Sequence, residues 1–307
     1  MLEHALAGAP AGAVEIVDSP EWIANSEEPA TAVRGKREAS IVRAAAAVAD
    51  GRAGALVTAG STGAALAAGL LTLKRMPGVY RPALAVLLPV PGRPALLLDV
   101  GATVEVRSEQ LVQFAFMGAA FLHGVMGAER PRVGLLNVGE EAEKGTPSAA
   151  EAHSLLRGLE HAPFEFVGNV EGSGLTAGEA DVVVTDGFTG NVALKLMEGT
   201  TRTLVEAIRA AIRSGAMSKL GGLLIKRRLA DLRARLDPEE VGGAYLLGLR
   251  APVIVCHGAS TRRAIANAIA LAGRAVEHDV VGRTGAALVA AGVGRSASVP
   301  ADTLGSR

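Results

Sequence analysis

Asp181-Val182-Val183-Val184-Thr185-Asp186-Gly187-Phe188-Thr189-Gly190-Asn191 is the stretch on which the fold reading turns. Its three valines show no polar alternation, as in a strand covered on both faces. Asp186-Gly187 then ends the strand, and helical spacing takes over across 192–213. A buried strand running into a helix is the repeating unit of α/β proteins built on a mainly parallel sheet. In such sheets ligands sit outside the carboxyl ends of the strands. The residues just past each strand are therefore the ones to read for chemistry.

The same unit recurs along the chain. Strands are expected over 14–17, 55–58, 83–88, 95–98, 133–137, 164–167, 182–185 and 253–256. Helices are expected over 30–49, 62–74, 109–126, 149–159, 192–213, 220–236 and 262–276. Residues 83–98 suit either separate strands or a hairpin turned by Pro89-Val90-Pro91-Gly92. The polar, small-residue stretch 294–307 reads as a loose tail.

Composition narrows the function. The 307 residues include 31 Lys or Arg and 31 Asp or Glu, so no net field recruits nucleic acid. Apolar residues make up 49% and charged ones 20%, which supports a sizeable core and excludes global disorder. Aromatics at 3% argue against base-stacking platforms. A single cysteine, Cys256, excludes an internal disulfide and an all-cysteine zinc site and suits a reducing cytoplasm. No basic-then-apolar leader opens the sequence. The uncharged stretches 54–73 and 111–128 are long enough to raise a membrane span. Glycines with Ser61 and Thr62 interrupt the first, and Gln113 and His123 lie in the second, so both are expected as buried core elements.

Four strand ends carry the chemistry. At the first, Gly60, Ser61, Thr62 and Gly63 let backbone N–H groups converge at a helix start, which favours an oxyanion such as phosphate. An ordinary tight turn accounts for them equally well. The spacing is neither Gly-x-Gly-x-x-Gly nor a P-loop, so dinucleotide and NTP readings lose support. The second end runs into Glu140, Glu141, Glu143 and Lys144. Lys144 suits clamping an anion or polarising a carbonyl, or a solvated charged loop. The glutamates have no histidine nearby, and no metal is expected. At the third end, Asn191 can donate to an oxyanion with a helix start behind it. Asp186 and Thr189 there suit a site or a plain turn and cap. At the fourth, His257, Gly258 and Ser260 follow a strand. A lone histidine is more often structural, Ser260 suits the cap of the next helix, and Cys256 reads as a buried inert thiol. No Gly-x-Ser-x-Gly elbow is present. Four such junctions on one sheet point to a single crevice for a phosphate or carboxylate.

One segment stands apart. Residues 217–236 read MSKLGGLLIKRRLADLRARL, with Lys226, Arg227 and Arg228 beside Leu223 and Leu224. A basic amphipathic helix of this kind lies on a membrane, binds an acidic partner, or packs on its own domain or a dimer mate.

The motifs VTAGSTGA (57–64), LLLDVGA (96–102), RVGLLNVGEEAEKG (132–145), FVGNVEG (166–172), DVVVTDGFTGNVALKLMEG (181–199), GGAYLLG (242–248) and HGAS (257–260) follow one another in a distinctive order. Over about residues 14–275 the chain resembles the bacterial phosphate acyltransferases of phospholipid synthesis, the PlsX family. The resemblance implies transfer of an acyl group from acyl-[acyl carrier protein] to inorganic phosphate, giving acyl phosphate. It implies a Rossmann-like three-layer αβα sandwich similar to phosphotransacetylases and isocitrate dehydrogenase-type enzymes. Residues 1–292 would be one acyltransferase domain with a helical insert at about 214–240. No cofactor or metal, a homodimer, and a cytoplasmic location with peripheral membrane attachment are implied too. Lys144 and Asn191 match the family's catalytic lysine and asparagine. Gly60, Ser61, Thr62, Gly63, Asp186, His257, Gly258 and Ser260 fall on expected phosphate- or substrate-binding positions. Leu223, Leu224, Lys226, Arg227 and Arg228 fall where membrane contact is expected, and the basic patch competes as a dock for the acidic carrier protein. The family's opening strand and Asp-Ala-Met-Gly-Gly-Asp-His-like turn have no match here, and Ser61 and Thr103 stand where asparagine is usual. A short-chain phosphotransacetylase using coenzyme A, a non-catalytic membrane scaffold and a metal-dependent dehydrogenase on a related fold are the alternatives.

Overall fold

A computed structural model describes residues 14–90, 94–235 and 242–294, without the side chains of 229–235. The described elements begin with helices α1 (Pro29–Gly35) and α2 (Ser40–Ala49), strand β1 (Leu56–Thr58) and helix α3 (Thr62–Ala68), which continues as a π-helical turn (Gly69–Leu73). Next come β2 (Ala83–Leu88), β3 (Ala95–Leu98), α4 (Ser108–Met126), β4 (Arg132–Leu136), α5 (Pro147–Arg157), β5 (Glu165–Val170), α6 (Gly174–Ala177) and β6 (Val182–Val184). The long helix α7 (Gly187–Arg213), then α8 (Ala216–Arg235), β7 (Ala244–Leu247), β8 (Val253–Val255), α9 (Arg262–Glu277) and α10 (Val280–Ala290) follow.

The described strands form one sheet in the order β1-β8-β7-β2-β3-β6-β4-β5. Pairing is parallel for β1 with β8 and for β3, β6, β4 and β5 in turn. It is antiparallel where β2 meets β3 and β7, and where β7 meets β8. The three valines of β6 behave as their sequence implies. Val182 and Val184 enter the core under α4, and Val183 enters the other core under α2 and α3. Phe114, Phe116, Met117 and Phe121 of α4 fill the first core, and Val42, Ala45, Ala65 and Ala68 the second. Helices thus cover both faces, giving the αβα sandwich.

Several expectations change. Residues 83–98 are antiparallel partners, Ala85 facing Leu98 and Leu88 facing Ala95, so the hairpin alternative is the observed one. The segment 14–17 is not a strand; Val14 and Val17 are exposed and lack a partner edge. The expected helix 30–49 is two helices, because Ala39 is extended and buried and bridges to Glu21. The short strand β7 and the helix α10 were not anticipated. β7 has only four residues, framed by Gly242, Gly243 and Gly248 at positive φ, too few to show a period.

The stretch 54–73 is a strand, a loop and a helix, and 111–128 lies within the buried α4 and its end. Among the described residues no helix is long and apolar enough to cross a membrane. The side chains of Leu229, Leu232 and Leu236, which carried part of the amphipathic spacing, lie outside the described residues, as does the tail from 295 onward.

Candidate active site

Strand direction divides the four junctions. β4 and β6 run opposite to β1 and β8, since the antiparallel contacts of β2 with β3 and of β7 with its two neighbours lie between them. Lys144 and Asn191 therefore follow strands that end at one edge of the sheet. Gly60, Ser61, Thr62, Gly63, His257, Gly258 and Ser260 follow strands that end at the other. β8 and β6 are also separated by β7, β2 and β3, about 19 Å of sheet at the usual strand spacing. The four junctions expected at a single crevice thus divide between the two edges of the sheet. The cause is the inverted strands in the middle of the sheet, one of which was unseen in the sequence.

The first edge gathers the ends of β3, β6 and β4. Asp99 follows β3 and is fully buried. Its Oδ1 accepts from the backbone N–H of Leu84, Gly101 and Ala102 at 2.9–3.0 Å, and Oδ2 from that of Thr103 at 2.6 Å. Burial pushes its carboxyl above the ordinary range against the pull of those four bonds. The start of α7 rests on this loop. Gly187 N–H donates to the Thr103 carbonyl at 2.8 Å. A Cβ on Gly187 would stand 2.8 Å from Asp99 Oδ2, and one on Gly190 would collide with the Asp99 carbonyl. Both glycines are required for close approach.

Asp186 is the N-cap of α7. Its Oδ1 accepts from Thr189 N–H at 2.8 Å and its Oδ2 from the Thr189 hydroxyl at 2.7 Å. Its carboxylate is thus spent on the turn, the cap alternative of the sequence reading. Asn191, one turn in, is exposed, and its carboxamide has no hydrogen bond among the described residues.

The loop after β4 is held by two amides that the sequence reading did not single out. Asn137 Nδ2 donates to the Lys144 carbonyl at 2.9 Å while its Oδ1 accepts from Val138 N–H at 2.8 Å. Asn169 Nδ2, from β5, donates to the Glu141 carbonyl at 2.6 Å. Gly145 has φ +90, and a side chain there would strike Asn137. The loop backbone is thereby fixed, while the Lys144 ammonium is exposed and makes no ion pair among the described residues. Glu140, Glu141 and Glu143 are exposed as well, and no group of three or more His, Cys, Asp or Glu side chains among the described residues is placed to hold a metal.

At the second edge, Gly60, Ser61, Thr62, Cys256, His257 and Gly258 line a cavity of about 440 Å³ closed on one side by Trp22–Asn25. Gly63 follows in the first turn of α3, against Pro29. Ser61 caps α3 through Ala64 N–H, and Gly60 N–H is taken by Thr58 Oγ1. His257 Nδ1 accepts from Ala259 N–H at 3.1 Å, which leaves Nε2 as the nitrogen free to act outward. The cap of α9 is Thr261, not Ser260, whose N–H closes a turn on His257. Cys256 is buried, and burial pushes its thiol up, away from thiolate chemistry.

The family model and the curated relatives agree on one family. The family described as fatty acid synthesis protein matches residues 5–283. A phosphate acyltransferase from Oceanobacillus iheyensis is 46% identical over 268 residues, 87% of this chain and 80% of that protein. One from Heliobacterium modesticaldum is 47% identical over 281 residues, 92% of this chain and 83% of that protein. Among solved structures, the EutD phosphotransacetylase from Staphylococcus aureus has a TM-score of 0.57 at 18% identity, covering 90% of this chain and 82% of that one. A branched-chain phosphotransacylase from Enterococcus faecalis has 0.51 at 16%, covering 78% and 80%. These two share the fold. With 46% identity over 87% of its length and a family match spanning residues 5–283, the chain belongs to the phosphate acyltransferase family.

Proposed function

We propose that this protein transfers a fatty acyl group from acyl-[acyl carrier protein] to inorganic phosphate, for phospholipid synthesis. A phosphate oxygen attacks the thioester carbonyl, the C–S bond breaks, the carrier leaves as its thiol, and acyl phosphate is released. Phosphate is anionic at neutral pH and needs positioning and partial desolvation more than a base. The observation that carries the reading is the pairing of Lys144 and Asn191. Both follow neighbouring parallel strands, both side chains are unengaged among the described residues, and both backbones are held by a side-chain amide or by glycine contacts. They are suited to stabilise the oxyanion that forms on the carbonyl. No step requires a covalent acyl-enzyme.

Thiol release from acyl-carrier protein, with and without inorganic phosphate, tests the reaction. Strict dependence on phosphate is expected, and its absence leaves the scaffold reading. Comparing coenzyme A thioesters with carrier thioesters separates this activity from a short-chain phosphotransacetylase. Lys144→Ala and Asn191→Ala are each expected to lower the rate about 100-fold or more with the fold intact. Near-normal rates in both remove these roles.

Attachment to the cytoplasmic membrane surface is part of the same proposal. α7 exposes Phe188, Val192 and Leu196, and α8 exposes Leu223 and Leu224 next to Lys226, Arg227 and Arg228. An apolar face with adjacent cations suits an anionic lipid surface, and part of the same face suits a homodimer contact. Reversing the three charges is expected to weaken liposome binding. Salt-sensitive loss of carrier binding with liposome binding intact instead assigns the patch to carrier docking.

A further inference from the structure

An arginine-lined cavity of about 760 Å³ opens beside the Asp99–Thr103 loop. Arg75, Arg81 and Arg107 contribute to its wall, with Glu105 the one carboxylate among the described lining residues, and Tyr80, Gln110 and Leu70 stand beside them. Arg81 and Arg107 make no ion pair or side-chain hydrogen bond among the described residues, and Glu105 pairs with neither. Like charges gathered around one cavity repel unless an anion joins them, and unpaired guanidinium forks match the oxygens of a phosphate group.

The wall is built rather than incidental. The buried Gln113 accepts from Tyr80 N–H at 2.9 Å and donates to the carbonyls of Gly78 and Val293 at 2.8 Å. Arg75 donates to the Tyr80 carbonyl, and the Arg250 guanidinium backs the Arg75 carbonyl at 3.2 Å. Leu70, which lines the cavity, belongs to the π-helical turn Gly69–Leu73, and that turn ends just before Arg75 with Lys74 at φ 68 and ψ 163, a conformation costly for any residue but glycine. Such π turns and strained residues concentrate at functional sites. The cavity also adjoins the candidate active site. Thr103 Oγ1 donates to the Pro82 carbonyl, next to Arg81, while the Thr103 carbonyl receives Gly187 N–H at the start of the helix that carries Asn191.

We propose that the cavity lined by Arg75, Arg81 and Arg107 is a subsite for a phosphate group, which it presents toward the Asn191 end of α7. Two sources supply this chemistry: free inorganic phosphate, and the phosphate ester at the root of the arm that carries the acyl thioester. The assignment of a reaction partner rests on the acyl-transfer reading above, whereas the anion site itself does not.

The test uses Arg81→Gln, Arg107→Gln and the double variant, with Arg130→Gln, an exposed arginine at the opposite sheet edge, as control. Arg75 is left intact because it also holds the Tyr80 carbonyl. Thermal melting checks that each variant folds. KM for phosphate and for acyl-carrier protein is measured separately, and phosphate binding to the enzyme alone is followed by calorimetry. A rise of about tenfold or more in the KM for phosphate, with phosphate binding weakened to match, assigns the site to the free anion. The same rise in the KM for acyl-carrier protein, with phosphate binding unchanged, assigns it to the arm. Unchanged values of both KM and of phosphate binding in the folded double variant overturn the proposal. If the wild type releases no thiol with phosphate, the acyl-transfer reading falls. Calorimetry then decides alone: weaker binding in the double variant sustains the anion site, and equal or undetectable binding in both proteins overturns it.

Discussion

Asp99 shows how much a single buried side chain sets in place. Its two oxygens fix the turn after β3 through four backbone N–H groups, one of them from Leu84, fifteen positions earlier in the chain. An amide at this position must present an NH₂ to N–H groups, so Asp99→Asn is expected to destabilise by about 1–3 kcal/mol, read as a lower urea midpoint. The pH dependence adds a second check. Burial raises the carboxyl above its ordinary value of 3.8, so the folded state binds the proton more tightly than the unfolded chain. That contribution to stability is complete below the ordinary value and is lost as pH rises through the raised one. The deficit of Asp99→Asn is therefore expected to narrow with rising pH across that window; a constant deficit removes the effect. Tyr245 is the opposite case. Its hydroxyl is buried without a partner among the described residues, and burial pushes its ionisation far up. Tyr245→Phe removes an unmatched polar atom and is expected to leave the melting temperature unchanged or raise it. Neither role was legible in the sequence. LLLDVGA places Asp99 at a strand end just before three of its partners, but the fourth, Leu84 N–H, is brought in by the hairpin.

The strand-to-helix order at the start of α7 was legible from three valines and Asp186-Gly187, although the helix begins at Gly187 rather than Val192 and Asp186 takes the cap role that was only one of its two readings. The reason for the glycines was not legible, because it lies in a different loop. A methyl at Gly190 meets the Asp99 carbonyl and the Thr185 side chain, so Gly190→Ala is expected to push the first turn of α7 outward. Activity should then fall further than stability, since Asn191 moves with that turn. Asp186→Ala, which removes the cap alone, is expected to cost about 1 kcal/mol and much less activity. Equal loss of activity in the two variants separates Asn191 from the placement of the turn. The loop that carries Lys144 offers a parallel test. Asn137→Ala frees the Lys144 carbonyl and is expected to lower kcat with little change in KM for phosphate, because the lysine is retained but less well held.

Across the molecule, most strand–helix junctions were readable, but the count of elements and the direction of the strands between those junctions were not. β7 is too short to carry a period, and residues 83–98 admitted two arrangements. Once β2 and β7 invert the sheet, Lys144 and Asn191 follow neighbouring strands that end at one edge, and His257 follows a strand that ends at the opposite edge, four strands away. Groups that act on one reacting centre are energetically coupled, whereas groups well separated in the fold add independently. Double-mutant cycles on the rate of phosphate-dependent thiol release therefore read the geometry directly. Lys144→Ala combined with Asn191→Ala is expected to cost much less than the sum of the single losses. His257→Ala combined with Asn191→Ala is expected to be additive within about 0.5 kcal/mol. Strong coupling of His257 to Asn191 would return both junctions to one reacting centre and make the cavity beside Gly60 part of the chemistry. Additivity leaves that cavity a place for some other portion of the substrate, where His257→Ala changes KM and spares kcat.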